Sequence, residues 1–90
     1  MKLNSRRSNI EIIAEMLRTG KNGASKAKFM YNNNLSYTQL QKYMRFMINR
    51  GFIAEVHVGN PKVTYQVTDS GTRLLKSIDS VAEILGWLDE

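Results

Sequence analysis

The sequence predicts an α+β, mainly α fold: three short helices, a β-hairpin and a fourth helix, in that order. Three observations predict it. Capping boxes at Ser8 to Glu11 and Ser36 to Gln39 each open an apolar pattern with helical spacing. Between residues 52 and 68 the period switches to alternation around a Gly-Asn-Pro-Lys turn. After Asp69 the helical spacing resumes.

Helix 1 is expected over about residues 9–19, capped by Ser8, with Ile10, Ile13, Ala14 and Leu17 inward and Met16 on a flank. Thr19-Gly20-Lys21-Asn22-Gly23 breaks it. Residues 24–32, ASKAKFMYN, read as a second, shorter helix with Ala27 and Met30 inward and Lys26 and Lys28 outside. Asn32-Asn33-Asn34 stops it, because Asn tolerates the left-handed backbone that ends a helix. Leu35, just before the Ser36 cap, is placed to pin the next helix to the core. Two helices joined by a tight turn with an apolar anchor is the layout of a helix-turn-helix.

Helix 3 is expected over about residues 37–50. At 100° per residue, Tyr37, Leu40, Tyr43, Met44, Met47 and Ile48 fall on one side. Thr38, Gln41, Lys42, Arg45 and Asn49 fall on the other, with Gln39 and Phe46 at the margin. Phe52 to Val58 and Val63 to Thr68 read as strands around Gly59-Asn60-Pro61-Lys62, which makes a hairpin. A fourth helix runs from Asp69 or Ser70 to the C-terminus. The whole is a winged helix-turn-helix with an extra helix behind it. Residues 1–68 form its body and residues 69–90 a separate C-terminal element.

Composition sets the class. Ninety residues make one domain. With no cysteine, neither a disulfide framework nor a thiolate metal site is available. MKLNSRRSN lacks the apolar segment of a signal peptide, and no stretch approaches the about 20 apolar residues of a membrane helix. A cytoplasmic protein without membrane attachment is expected. Residues 1–68 hold 11 Lys and Arg against three acids, a net of +8, whereas residues 69–90 hold two against five, a net of −3. A basic body suggests a polyanionic partner, and an acidic end suggests a different task.

Catalysis and metal binding find no support. His57 is the only histidine and is expected as an exposed residue of the apolar hairpin, so no Ser-His arrangement is expected and a metal site would have to be built from scattered carboxylates. The glycines stand singly at turns and ends rather than in a phosphate-binding loop. No enzyme, cofactor or metal is expected.

The stretches NGASKAKFMYNNNLSYTQLQKYMRFMINRGFI and YQVTDSGTRLLKSI together resemble the small archaeal winged helix-turn-helix DNA-binding proteins. Their core has the form GASKTKIMY…NLSY.QL.KYL..L...GLI, then Y.LTEKG..FL. The likeness covers residues 22–78. It implies double-stranded DNA as partner and a role in transcription regulation or chromatin organisation, associated with the nucleoid. One branch of that family dimerises through a long C-terminal helix paired antiparallel. This sequence departs there, since its last helix has only about 20 residues and contains Gly86.

The exposed side of helix 3 carries the candidate site. A major groove accepts one α-helix, where Gln or Asn bonds adenine bidentately and Arg or Lys bonds guanine. Thr38, Gln41, Lys42 and Arg45 line one stripe, with Ser36, Tyr37 and Gln39 at its leading end, and no acid occurs from 36 to 54. A merely solvated face would mix signs. Lys26 and Lys28 on helix 2, and Asn60 and Lys62 on the wing, are expected at phosphates. Arg6 and Arg7 precede helix 1 and are placed to reach a neighbouring phosphate or the minor groove.

Leu74, Ile78, Val81, Leu85 and Leu88 follow a heptad rhythm on helix 4, with Ile84 and Trp87 further round. Its last turns exceed what three short helices can cover, which suggests a homodimer interface. The alternative for the whole chain is a winged-helix protein-interaction module whose stripe docks an acidic protein surface.

Overall fold

A computed structural model of the chain describes residues 8–60 and 62–86. The element order is α1 (Asn9–Thr19), α2 (Lys26–Asn32), α3 (Tyr37–Asn49), β1 (Ile53–His57), β2 (Val63–Val67) and α4 (Asp69–Leu85). Each helix opens on a hydroxyl. Ser8, Ser25, Ser36 and Thr68 all stand in extended backbone and accept from an amide three residues on, which satisfies an N–H that the helix leaves orphaned. At Ser8 and Ser36 the reciprocal bond from the cap amide to Glu11 or Gln39 completes the box.

The hairpin is antiparallel, with Ile53 opposite Val67 and His57 opposite Val63. The alternation of Val63, Tyr65 and Val67 turns Tyr65 and Val67 into the core and leaves Val63 half-buried at the wing end. A third piece joins this sheet. Ala24 exchanges both backbone hydrogen bonds with Tyr65, at 3.0 and 2.9 Å, and so stitches the loop before α2 to β2.

The core runs through Phe29, Met16, Leu17, Leu40, Met47 and Ile53, which are all fully buried. Two ties hold α1 to its neighbours. The Tyr43 hydroxyl donates to the Asn9 side chain, and the Asn33 amide, itself buried, donates to the Phe29 carbonyl oxygen at 2.8 Å, with its Oδ1 3.3 Å from the Thr19 hydroxyl. Among the described residues no helix is long and apolar enough to cross a membrane.

Four sequence expectations need correction. Ile10 is 50% exposed, whereas Ile12 and Met16 are buried. α1 packs against both α2 and α4, so its buried arc is wider than one stripe. Residues 24 and 25 are not helical, because Ala24 is taken by the sheet and Ser25 caps α2. In α2 the buried residue is Phe29 and Ala27 is exposed. In α3 the buried set is Leu40, Tyr43, Met44 and Met47, with Tyr37 62% and Ile48 37% exposed at its two ends.

The last helix also ends early. Gly86 takes φ +67° and caps α4 through its amide to the Ala82 and Glu83 carbonyls, a left-handed stop that glycine adopts without a Cβ clash. α4 therefore has 17 residues instead of the expected 20 or so.

Candidate nucleic-acid interface

The turn between α2 and α3 sets the site. Asn33 caps α2, Asn34 turns the chain at φ +53°, and the Leu35 amide donates to the Met30 carbonyl oxygen at 3.0 Å. Leu35 is buried, so the entry of α3 is anchored to the core. Ser36 Oγ accepts from the Gln39 amide at 3.1 Å, and Gln39 Oε1 accepts from the Ser36 amide at 3.0 Å. Both side chains are exposed but occupied by the cap.

Beyond the cap, Thr38, Lys42, Arg45 and Asn49 lie exposed on α3 and Gln41 is half-buried among them. The Lys42 ammonium rests 5.5 Å from the Tyr43 ring centroid. This leaves Thr38, Gln41, Lys42 and Arg45 on one accessible stripe opposite the buried side of the helix. Lys28 is exposed on α2. At the hairpin tip Asn60 and Lys62 are exposed, with the Val58 amide closing the turn onto the Lys62 carbonyl at 3.1 Å.

Lys26 differs from the other lysines. It is half-buried, its Nζ lies 3.4 Å from Gln41 Oε1 and it sits 5.8 Å from the Tyr65 ring centroid. A depression of about 280 Å³ opens here between α2, α3 and the hairpin, lined by Lys26, Gln41, Arg45, Glu55 and Tyr65 among others. Glu55 is a feature the linear reading missed. The stretch 36–54 contains no acid, yet the first residue beyond it is carried by β1 back to the edge of the α3 stripe. Its carboxylate forms no ion pair with Lys26 or Arg45 within 4.0 Å.

Sequence reasoning also passed over Tyr31, which is 76% exposed on α2 one turn after Lys28. Phe46 and Arg50 extend the α3 face, with the guanidinium 4.8 Å from the ring centroid. His57 is exposed on β1. Arg6 and Arg7 lie outside the described residues.

The remaining expected site lies on α4, and the structure divides it. Leu74 and Leu75 are half-buried against the chain's own core. Ile78 is half-buried, whereas Val81, Ile84 and Leu85 are 51%, 81% and 57% exposed. Ile78 and Val81 share an apolar depression with Ile10 of α1. Trp87 and Leu88 lie outside the described residues.

Helix-turn-helix, buried anchor, two-stranded hairpin and trailing helix form one arrangement, and residues 6–86 match the family model described as winged helix-turn-helix. The chain belongs to the winged helix-turn-helix family. In winged-helix terms α2 and α3 are the helix-turn-helix pair and the β1–β2 hairpin is the wing.

The chain is 33% identical over 81 residues to the uncharacterized protein MJ0287 of Methanocaldococcus jannaschii, an alignment covering 89% of this chain and 78% of that protein. Its fold is similar to Sso10a-2, a DNA-binding protein from Sulfolobus solfataricus, with a TM-score of 0.80 at 23% identity over 91% of this chain and 85% of that one. It is also similar to ZitR of Lactococcus lactis, whose structure is of a complex with DNA, with a TM-score of 0.65 at 12% identity over 92% of this chain and 58% of ZitR. At these identities the two structural likenesses are likenesses of winged-helix fold.

Proposed function

We propose that this protein binds double-stranded DNA by placing α3 in the major groove. The observation that carries the reading is the accessible stripe of Thr38, Gln41, Lys42 and Arg45 on the second helix of a helix-turn-helix pair. These side chains offer the donors and acceptors that base edges require, and helix entry at the α3 N-terminus is the docking mode of this motif. Lys28 on α2 and Lys62 on the wing are positioned for phosphates on either side, and Tyr37 and Asn60 for further backbone contacts. The DNA-binding function of Sso10a-2 and the DNA complex of ZitR, two proteins of similar fold, support the same reading.

The active form in this proposal is a homodimer. Residues 1–68 contact DNA, while residues 69–90, net −3, hold two copies together away from the phosphates. The exposed Val81, Ile84 and Leu85 support this, since apolar side chains gathered at one end of a helix mark an interface. The role is transcription regulation or nucleoid organisation in the cytoplasm, without catalysis. Titration of specific and random duplexes at two salt concentrations tests it. Binding that weakens steeply with salt supports the proposal. Failure to bind any duplex at low salt points instead to a protein-docking role for the stripe.

A further inference from the structure

The Lys26–Gln41 contact bears on which base the protein reads. Gln41 is the half-buried member of the stripe, and its Oε1 faces the Lys26 ammonium at 3.4 Å. An ammonium has only donors, so the carboxamide must turn its oxygen toward Lys26 and its NH2 elsewhere. Lys26 is itself held. It is the first residue of α2, right after the Ser25 cap and two residues past the Ala24–Tyr65 bridge. The Tyr65 ring lies 5.8 Å beneath it, within reach of a cation–π attraction. The cap and the bridge fix the backbone, the ring seats the ammonium, and the ammonium orients the amide.

That orientation selects among base edges. Free glutamine reads adenine by donating to N7 and accepting from the N6 amino group. Here Oε1 is already engaged by a cation, and an adenine amino group would bring its hydrogens beside that positive charge. Guanine presents two acceptors in the major groove, N7 and O6, and so suits a Gln41 that can only donate. We infer that Lys26 is a positioning residue that fixes Gln41 as a hydrogen-bond donor, so that the base pair under Gln41 is read as guanine rather than adenine. Glu55 and Arg45 line the same depression; Glu55 makes no ion pair that would draw Lys26 off Gln41. The inference rests on the proposed docking of α3 in the major groove, and it withdraws Lys26 from the phosphate contacts expected from sequence.

The test is selection from a randomised duplex library with the wild type, Gln41→Ala, Lys26→Met and Lys26→Arg, each checked for folding by circular dichroism. Gln41→Ala identifies the base pair concerned as the one whose preference it abolishes. At that pair the wild type is expected to favour guanine over adenine about tenfold. Lys26→Met keeps the stem and should collapse that ratio toward one without changing the salt dependence, while Lys26→Arg restores the preference. An adenine preference in the wild type overturns the inference, as does a selection with no base preference at any position. So does a Lys26→Met protein that keeps the guanine ratio but loses about one from its salt slope, for Lys26 is then a phosphate contact. Absence of any duplex binding overturns instead the proposed function beneath it.

Discussion

The carbonyl oxygen of Phe52 lies against Gly71 so closely that a Cβ there would stand 2.2 Å from it. The same oxygen accepts the Thr68 amide at 3.0 Å, so it cannot swing away without breaking that bond. This is where α4 begins, with Thr68 capping it and also donating its hydroxyl to the Gly51 carbonyl at 2.6 Å. The end of α3 and the start of α4 are thus joined through one crowded corner that requires glycine.

Gly71→Ala is therefore expected to destabilise the fold by about 1–3 kcal/mol, the usual range for overpacking. Urea denaturation should show a lowered midpoint at unchanged slope. Gly59→Ala, whose Cβ would meet the Lys62 Cβ at an ordinary 3.7 Å, is the control and should leave the midpoint within experimental scatter.

Element order, both capping boxes, the Asn34 turn and the buried Leu35 were legible from sequence, because each depends on residues within four positions of one another. The misplacements arose where packing is not local. A helical wheel gives one inward stripe, but α1 is covered by α2 and α4 together, and Ile12 and Met16 sit deeper than Ile10. α2 has seven residues, too few for periodicity to separate Phe29 from Ala27. At the site, the stripe on α3 could be read from the 100° rule. The Ala24–Tyr65 bridge, the approach of Glu55 and the Lys26–Gln41 contact join residues 10 to 41 positions apart, and no spacing announces them.

Under the proposed function, the exposed cations set the salt dependence of DNA binding. Lys28, Lys42, Arg45 and Lys62 are all exposed on α2, α3 and the wing. Lys28 and Lys62 are the two assigned to phosphates, so a dimer neutralising about four phosphates should give a log–log salt slope of about −4. Fluorescence anisotropy across a series of salt concentrations measures it. A slope near zero removes the electrostatic basis of the proposal.

Arg45→Ala and Lys28→Ala should differ in kind. Arg45 stands on the stripe that the proposed docking would aim at base edges, so its loss is expected to cost about 1–3 kcal/mol on a preferred site and to blur preference at one position. Lys28 stands on α2 to the side. Its loss should weaken all duplexes alike and flatten the salt slope by about one. Competition binding with preferred and scrambled duplexes separates the two. Uniform losses in both variants mean non-specific binding, and nucleoid organisation then becomes the better description than regulation.

The dimer prediction changes with the observed length of α4. Its 17 residues span about 26 Å, less than the about 34 Å between recognition helices in successive major grooves. The apolar seam also turns as it runs. Leu74 packs on the chain's own core, Ile78 is half-covered, and Val81 and Leu85 face out. Among the described residues of α4, only those of the far turns expose apolar side chains that can pair, and Ile10 of α1 borders them through the depression it shares with Ile78 and Val81. The interface is thus expected to combine the end of α4 with the start of α1, letting the bodies add to the separation that α4 alone does not supply. The Arg18–Asp79 ion pair at 2.6 Å links the two helices, but both side chains are about half-exposed, so packing rather than this pair must hold them together. Val81→Glu with Leu85→Glu should give a folded monomer, because neither side chain belongs to the core. Light scattering at tens of micromolar, with circular dichroism alongside, decides the matter. A monomeric wild type ends the dimer proposal, and an unfolded double variant shows that the last turns of α4 are part of the fold itself.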